Sequence, residues 1–391
     1  MWFIFETFRR RSMVDGPNPS SAEMPGRVIG DPLRRATHQK RENGATTPFF
    51  ASFLTALVIS GAILLLGLEP AASERNVNTS PIKPVVAVIA TGGTIASKRG
   101  ENGASTPTLS GGDLLALLPD LKADLRPINL MEKDSSLLTL ADMQHISNAV
   151  GEALENPDIN GVVVLHGTDS MEETALLVQL QHRLAKPVIF TGAQFTADSP
   201  HADGPANLTD AVRLATDPAN AARGVLIAFG GRVLPAWGVY KASSDSADAF
   251  HPTRMLAALP DVKLPSPLDD SRVDTVAIYP GCDATHVAAS VAAGARGIVL
   301  AALGSGNATP AIVEAVKLCT ERGIPVVVSS RVPEGLLTPS YGGGGGGYDL
   351  AAAGAIPART LRPGQARILL AALIANGSSK DAIIRAFSDN Q

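Results

Sequence analysis

Only two cysteines occur in the 391 residues, Cys282 and Cys319, and the seven histidines are scattered along the chain. No Cys/His cluster has zinc spacing, so no metal centre is expected. The two thiols, one beside a predicted strand end and the other inside a predicted helix, are expected to stay free and buried. Aromatic residues are only 4% of the chain, and the first of its four tyrosines is Tyr240. An excess of basic charge is also missing: 33 Lys and Arg face 37 Asp and Glu, a net charge of −4. Residues 1–48 hold eight Lys and Arg against five Asp and Glu, which is +3, so the rest of the chain carries −7. A mildly acidic body offers nucleic acid no clustered basic face, and a small-molecule ligand is expected instead.

Long apolar runs are absent with one exception. Phe49 to Leu68 is twenty residues without a charge, preceded by Arg34, Arg35, Lys40 and Arg41. That pattern reads as an export signal with residues 1–48 on the cytoplasmic side. Ala71 and Ser73 fit the small-residue positions of a signal-peptidase site, yet the run is also long enough to span a bilayer uncleaved. A periplasmic or exported protein and one anchored in the inner membrane through 49–68 both fit. Pattern divides the chain into a leader over 1–80, a catalytic α/β domain over 81–250, a Pro- and Asp-rich linker over 251–272 and a smaller α/β domain over 273–391.

From Val85 onward, short β-branched runs alternate with helical periodicity, the signature of a βα series. Strands are predicted at 85–90, 124–130, 162–165, 187–191, 224–229, 273–279, 297–302 and 324–329. Leu140, Met143, Ile146, Val150 and Leu154 form one stripe of a helix over 139–155. Other helices are predicted near 112–118 and over 204–216, 284–293, 310–322, 365–375 and 380–387. The expected fold is two doubly wound α/β domains with a cleft at the strand carboxyl ends. Ser170 and Glu173 have the spacing of a capping box at the start of a further helix. Gly342 to Gly347, six glycines in a row, read as a flexible loop.

Two turns in this series carry hydroxyls to strand ends: TGGTIA, Thr91 to Ala96, and HGTDS, His166 to Ser170. TGGTIA does not have the spacing of a dinucleotide-binding turn, so a Rossmann cofactor site is not expected. Its glycines present Thr94 to the cleft, although threonines are ordinary in such turns. HGTDS places the Asp169 carboxylate beside the Thr168 hydroxyl, where it can grip an ammonium group or merely cap a helix. A threonine hydroxyl needs a base to become a nucleophile, and Lys241 in VYKASSD is a candidate, against the commoner case of a solvated surface lysine. Ser135 and Ser136 in KDSSLL and Asn307 in GSGNAT follow predicted strands and can bind a carboxylate; a cap or turn role is the plain alternative.

As a set, these residues resemble the bacterial-type L-asparaginase and glutaminase-asparaginase family from about Pro84 to the C terminus. TGGTIA and HGTDSMEET match its two signature segments in order and separation, and DSS at 134–136, TGAQ at 191–194, ADGPANL at 202–208, GSGN at 304–307 and SSRVPEG at 329–335 add to them. The resemblance implies cofactor-free hydrolysis of the asparagine side-chain amide, with glutamine as a second substrate. Thr94 resembles the nucleophile that forms an acyl-enzyme. Thr168, Asp169 and Lys241 resemble a second triad in which Asp169 also binds the substrate ammonium. Ser135, Ser136 and Asn307 match substrate contacts, and backbone groups at Thr168 and Ala193 match those around the scissile amide. The family also implies a homotetramer with active sites between domains of neighbouring subunits. A tyrosine normally present in the loop after TGGTIA is missing from 97–109, and the glycine tract stands where exported members carry a glutamate toward the partner's site. A membrane-tethered amino-acid-binding protein with weak or no turnover is the competing expectation. Retention of the lysine argues against it.

Overall fold

The computed structural model describes residues 83–254 and 258–388. The leader, the apolar run 49–68 and the cleavage positions lie outside the described residues. Among the described residues no helix is long and apolar enough to cross a membrane.

The N-terminal half begins with β1 (Val85–Ala90), a short hairpin of β2 (Ser97–Arg99) and β3 (Ser105–Pro107), helix α1 (Gly111–Leu115) and β4 (Asp124–Asn129). It continues through α2 (Leu140–Glu155), β5 (Gly161–Leu165), α3 (Met171–Gln181), β6 (Val188–Thr191), α4 (Gly204–Thr216), β7 (Leu226–Phe229) and β8 (Arg232–Pro235). Its sheet has the order β4-β1-β5-β6-β7-β8, parallel except for the antiparallel β8. Strands such as VVAVIA and GVVVL are apolar on every residue because both faces of the sheet are covered. Ala87, Ile89, Val162 and Val164 join one core cluster, while Val86, Val88, Val163 and Leu165 join another on the opposite face.

An antiparallel pair, β9 (Val239–Lys241) and β10 (Phe250–Pro252), then precedes a second parallel sheet. Its strands are β11 (Val273–Ala277), β12 (Gly297–Ala302), β13 (Val326–Ser330) and β14 (Ile356–Pro357), in that order. Helices α5 (Thr285–Ala292), α6 (Pro310–Glu321), α7 (Gly347–Ala352), α8 (Pro363–Ala375) and α9 (Lys380–Ser388) complete the chain. The expected two α/β layers are therefore present. Cys282 and Cys319 are both buried and unpaired.

Helices α3 and α8 lie between the two sheets, which explains why neither carries a polar face. On α3, Ala175 and Val178 enter the N-terminal core, while Leu176, Leu177 and Leu180 share a cluster with Ile368, Leu369, Leu370 and Leu373 of α8. A helix apolar all round has to be buried all round. Polar ties cross the same seam: Arg367 pairs with Glu173 at 2.7 Å. Gln365, only 1% exposed, accepts from the Gly238 N–H (2.8 Å) and donates to the Ala236 (2.5 Å) and Glu172 (3.0 Å) carbonyls.

Two local expectations are corrected. Ser170 does precede α3, but its side chain caps nothing in that helix; the hydroxyl donates to the Ser135 carbonyl (2.8 Å), and Glu173 turns away to Arg367. The glycine tract is not a slack loop. Its N–H groups wrap the Asp349 carboxylate, and its last glycine opens α7.

Replacing Gln365 by Ala leaves the buried Gly238 N–H and Ala236 carbonyl without this partner and takes a second bond from the Glu172 carbonyl. Urea denaturation of Gln365→Ala is expected to show a loss of about 3 kcal/mol, since each orphaned buried group costs about 1–3 kcal/mol. A surface variant on α9, such as Asp381→Ala, is expected to change stability by less than about 0.5 kcal/mol.

Candidate active site

Strand order locates the crevice. After β1 the chain moves to β4 on one side, and after β5 it moves to β6 on the other, so the loops following β1 and β5 separate and leave a gap at the strand carboxyl ends. TGGTIA leaves β1 there and HGTDS leaves β5, from the paired level Ala90 and Leu165. The two turns touch through glycine. Gly93 has φ +78, and a Cβ on it would meet the Gly167 Cα at 2.5 Å and its N at 2.6 Å. A Cβ on Gly167 would meet the Ser135 Oγ at 2.6 Å. Only backbone fits in this layer, so Thr94 and Thr168 each stand one residue beyond a contact that no side chain could occupy.

The geometry separates the two threonines of TGGTIA. Thr91 is 1% exposed, and its hydroxyl donates to the Leu165 carbonyl (2.8 Å), locking β1 to β5. Thr94, half-buried in a single tight helical turn (Thr94–Ala96), has a side-chain hydroxyl that no hydrogen bond engages among the described residues. Lys241 reaches across from β9: its Nζ donates to Thr168 Oγ1 (2.8 Å) and to Asp169 Oδ1 (2.7 Å). A threonine hydroxyl, a lysine amine and a carboxylate thus form one connected group beside the Thr94 turn.

Ser135 is buried at 5% exposure and works on the backbone of this group, accepting from the Asp169 N–H (3.0 Å). Ser136 is exposed and Ala193 buried at the end of β6. Asn307 lies apart, on the second sheet at the carboxyl end of β12, where its Oδ1 accepts from the Gly347 N–H (3.1 Å). Among the described residues no hydrogen bond joins Asn307 to Thr94, Thr168, Asp169 or Lys241.

Three residues that support the site were not singled out from sequence. Asp203 accepts from the N–H groups of Gln194 and Phe195, all at 3.0 Å, and so shapes the turn after β6. His166 is fully buried. Its Nδ1–H donates to the Gly167 carbonyl (2.7 Å), its Nε2 accepts from the Thr174 hydroxyl (3.0 Å), and burial holds its pKa down to about 4. Glu172 lies with its carboxyl against its own N–H and that of Lys241; its Oε2 is shielded from solvent without a hydrogen-bond partner. Burial pushes that carboxyl up to about 8. The neighbouring acids of HGTDSMEET could be read as helix-start residues, and nothing in their spacing tells a protonated one from a charged one.

A carboxyl that keeps its proton in the folded state up to about pH 8 but loses it near 4.5 when unfolded makes stability fall as pH rises between those values. Above pH 8 the penalty is complete. Urea midpoints of the wild type are therefore expected to decline relative to Glu172→Gln from pH 5 to pH 8, by an amount on the order of a few kcal/mol in ΔG. Parallel pH profiles for the two proteins would show that Glu172 is ionised throughout.

Comparison with known proteins identifies the family. Residues 85–263 match the family model for the asparaginase N-terminal domain, and 272–387 match the glutaminase/asparaginase C-terminal domain. A probable L-asparaginase of Deinococcus radiodurans is 35% identical over 322 residues, covering 78% of this chain and 97% of that protein. L-asparaginase 2-3 of Saccharomyces cerevisiae is 32% identical over 366 residues, covering 86% of this chain and 98% of that protein. A relative from Haemophilus influenzae, named a probable periplasmic L-asparaginase, is 29% identical over 332 residues, covering 78% of this chain and 93% of its own. With both domain models matched along one continuous fold, the chain belongs to the asparaginase family.

Proposed function

We propose that this protein hydrolyses the side-chain amide of L-asparagine, with L-glutamine as a slower substrate, through an acyl-enzyme on Thr94. The observation that carries the mechanism is the Lys241 amine, 2.8 Å from the Thr168 hydroxyl and 2.7 Å from Asp169 at the crevice between β1 and β5. Thr94 Oγ1 attacks the amide carbon, its proton leaves toward the amide nitrogen, and ammonia departs as the ester forms. Water then attacks the ester, with Thr168 and Lys241 relaying the proton back to Thr94 as aspartate is released. Asp169 supplies a counter-charge for the substrate ammonium. The free N–H groups at the start of α3, an eleven-residue helix, favour the negative charge that develops beside them.

Site completion through a homotetramer belongs to the same reading, because Asn307 stands away from the Thr94 group within one chain. Ammonia release is the direct test. Thr94→Ala, Thr168→Val and Lys241→Met are each expected to lower kcat by about 10² or more, the scale of a lost nucleophile or acid–base group. Asp169→Ala is expected to raise KM as well. If Thr94→Ala turns over at the wild-type rate, the acyl-enzyme route through Thr94 is wrong. If the wild type binds asparagine without releasing ammonia, the protein is an amino-acid binder.

We also propose export directed by 49–68, supported by the basic residues before the run. Mass spectrometry of the protein recovered from its native membrane and soluble fractions is expected to show either an N terminus near Glu74 or an intact, membrane-bound chain. An intact chain found only in the cytosol would end this reading.

A further inference from the structure

The glycine tract has an order that six glycines alone would not dictate. Gly344 N–H (2.7 Å) and Gly346 N–H (3.0 Å) both donate to Oδ2 of Asp349, and the Gly345 carbonyl accepts from the Ala308 N–H (2.7 Å). Gly343 and Gly344 have φ +93 and +95, and a Cβ on Gly345 would come within 2.6 Å of the Ala308 carbonyl oxygen. The tract is thus folded back on the Asn307–Ala308 turn and pinned there by one carboxylate. The next N–H in the chain, that of Gly347, donates to Asn307 Oδ1 at 3.1 Å. An N–H can only donate, so this bond fixes which end of the Asn307 amide is oxygen and leaves Nδ2 on the side of Gly304.

We propose that Asp349 is a positioning residue for Asn307: its carboxylate gathers the glycine N–H groups so that Gly347 holds the amide with Nδ2 free to donate to substrate. The inference rests on the reading of Asn307 as a substrate contact. Asp349 touches no substrate itself. It acts through two rigid steps, from the carboxylate to the tract and from the Gly347 N–H to the amide. Without it, six glycines return to the many conformations open to such a run, and Asn307 loses the donor that orients it.

A single substitution can delete that donor. Gly347 is the first residue of α7, where proline is well tolerated, and Gly346 before it is extended (φ −77, ψ 168), as a residue preceding proline must be. Gly347→Pro therefore removes one N–H and turns its Cδ toward Asn307 Oδ1, so the amide has to swing away, while Gly347→Ala keeps the N–H. Steady-state ammonia release from L-asparagine by the full chain is the measurement, with thermal melting to confirm folding. Gly347→Pro and Asp349→Ala are each expected to raise KM about tenfold, the scale of one hydrogen bond to substrate, with kcat within about threefold of wild type. Gly347→Ala and Asp349→Asn, which retains an oxygen acceptor, are expected to stay near the wild-type KM. In an Asn307→Ala background, Asp349→Ala is expected to change KM by less than about twofold. An equal KM increase in both backgrounds, or none in either single variant while Asn307→Ala raises KM, would overturn the proposal. An unchanged KM in Asn307→Ala itself would instead remove Asn307 from the substrate site, and the positioning role with it.

Discussion

The contact of Gly93 with Gly167 sets the dimensions of the crevice. Two backbones meet there at distances that exclude even a methyl group, and the threonines that follow are carried to the same place because the glycines can touch. Parallel strands β1 and β5 supply the level, with Ala90 opposite Leu165 and Thr91 bonded across to the Leu165 carbonyl. The divergence of the loops beyond β1 and β5 supplies the gap. Ser135 fills the third side, its Oγ against Gly167 and its hydrogen bond on the Asp169 N–H, so the turn after β4 buttresses the turn after β5. The arrangement is backbone work first; the reactive side chains are placed on it.

Much of this was legible in the sequence. Uniformly apolar runs such as Val85–Ala90 and Gly161–Leu165 announce strands buried on both faces, and the turns after them announce where hydroxyls collect. Lys241 was a candidate only. Its partner across 73 residues is fixed by β9 pairing with β10 and reaching over the carboxyl end of the sheet, which no local pattern encodes. The hairpin of β2 and β3 escaped detection because three-residue strands are too short to show a period. Ser170 looked like a cap because spacing cannot distinguish a hydroxyl turned toward its own helix from one turned to Ser135. The glycine tract read as slack because composition reports what a chain can do, whereas Asp349, two residues beyond it, decides what it does.

The seam between the halves matters to the chemistry as well as to stability. Gln365 on α8 holds the backbone at Ala236 and Gly238 just before β9, the strand that ends in Lys241. The same amide holds the Glu172 carbonyl at the first turn of α3. Tyr240, immediately before Lys241, donates its hydroxyl to Glu334 (3.2 Å), and Arg362 fixes that segment through the Pro333 and Gly335 carbonyls. The lysine and the helix start it serves are therefore both referenced to the C-terminal half. Its contribution to the N-terminal site within one chain is to keep β9 and α3 in register with each other.

Charge decides how Lys241 is used. Its amine has two acceptors in reach, the Thr168 hydroxyl and the Asp169 carboxylate, while a second carboxyl, Glu172, lies beneath its backbone. An ionised Glu172 would add a second carboxylate charge near the lysine, and a hydroxyl is a weaker acceptor than a carboxylate. Burial keeps Glu172 protonated up to about pH 8, and that removes this charge. Asp169 is open to solvent, and in the proposed reaction the substrate ammonium would occupy it and leave the Lys241 amine to Thr168. In the proposed reaction the buried acid beneath the lysine and the exposed acid beside it thus have opposite tasks, set by the difference in their exposure to water.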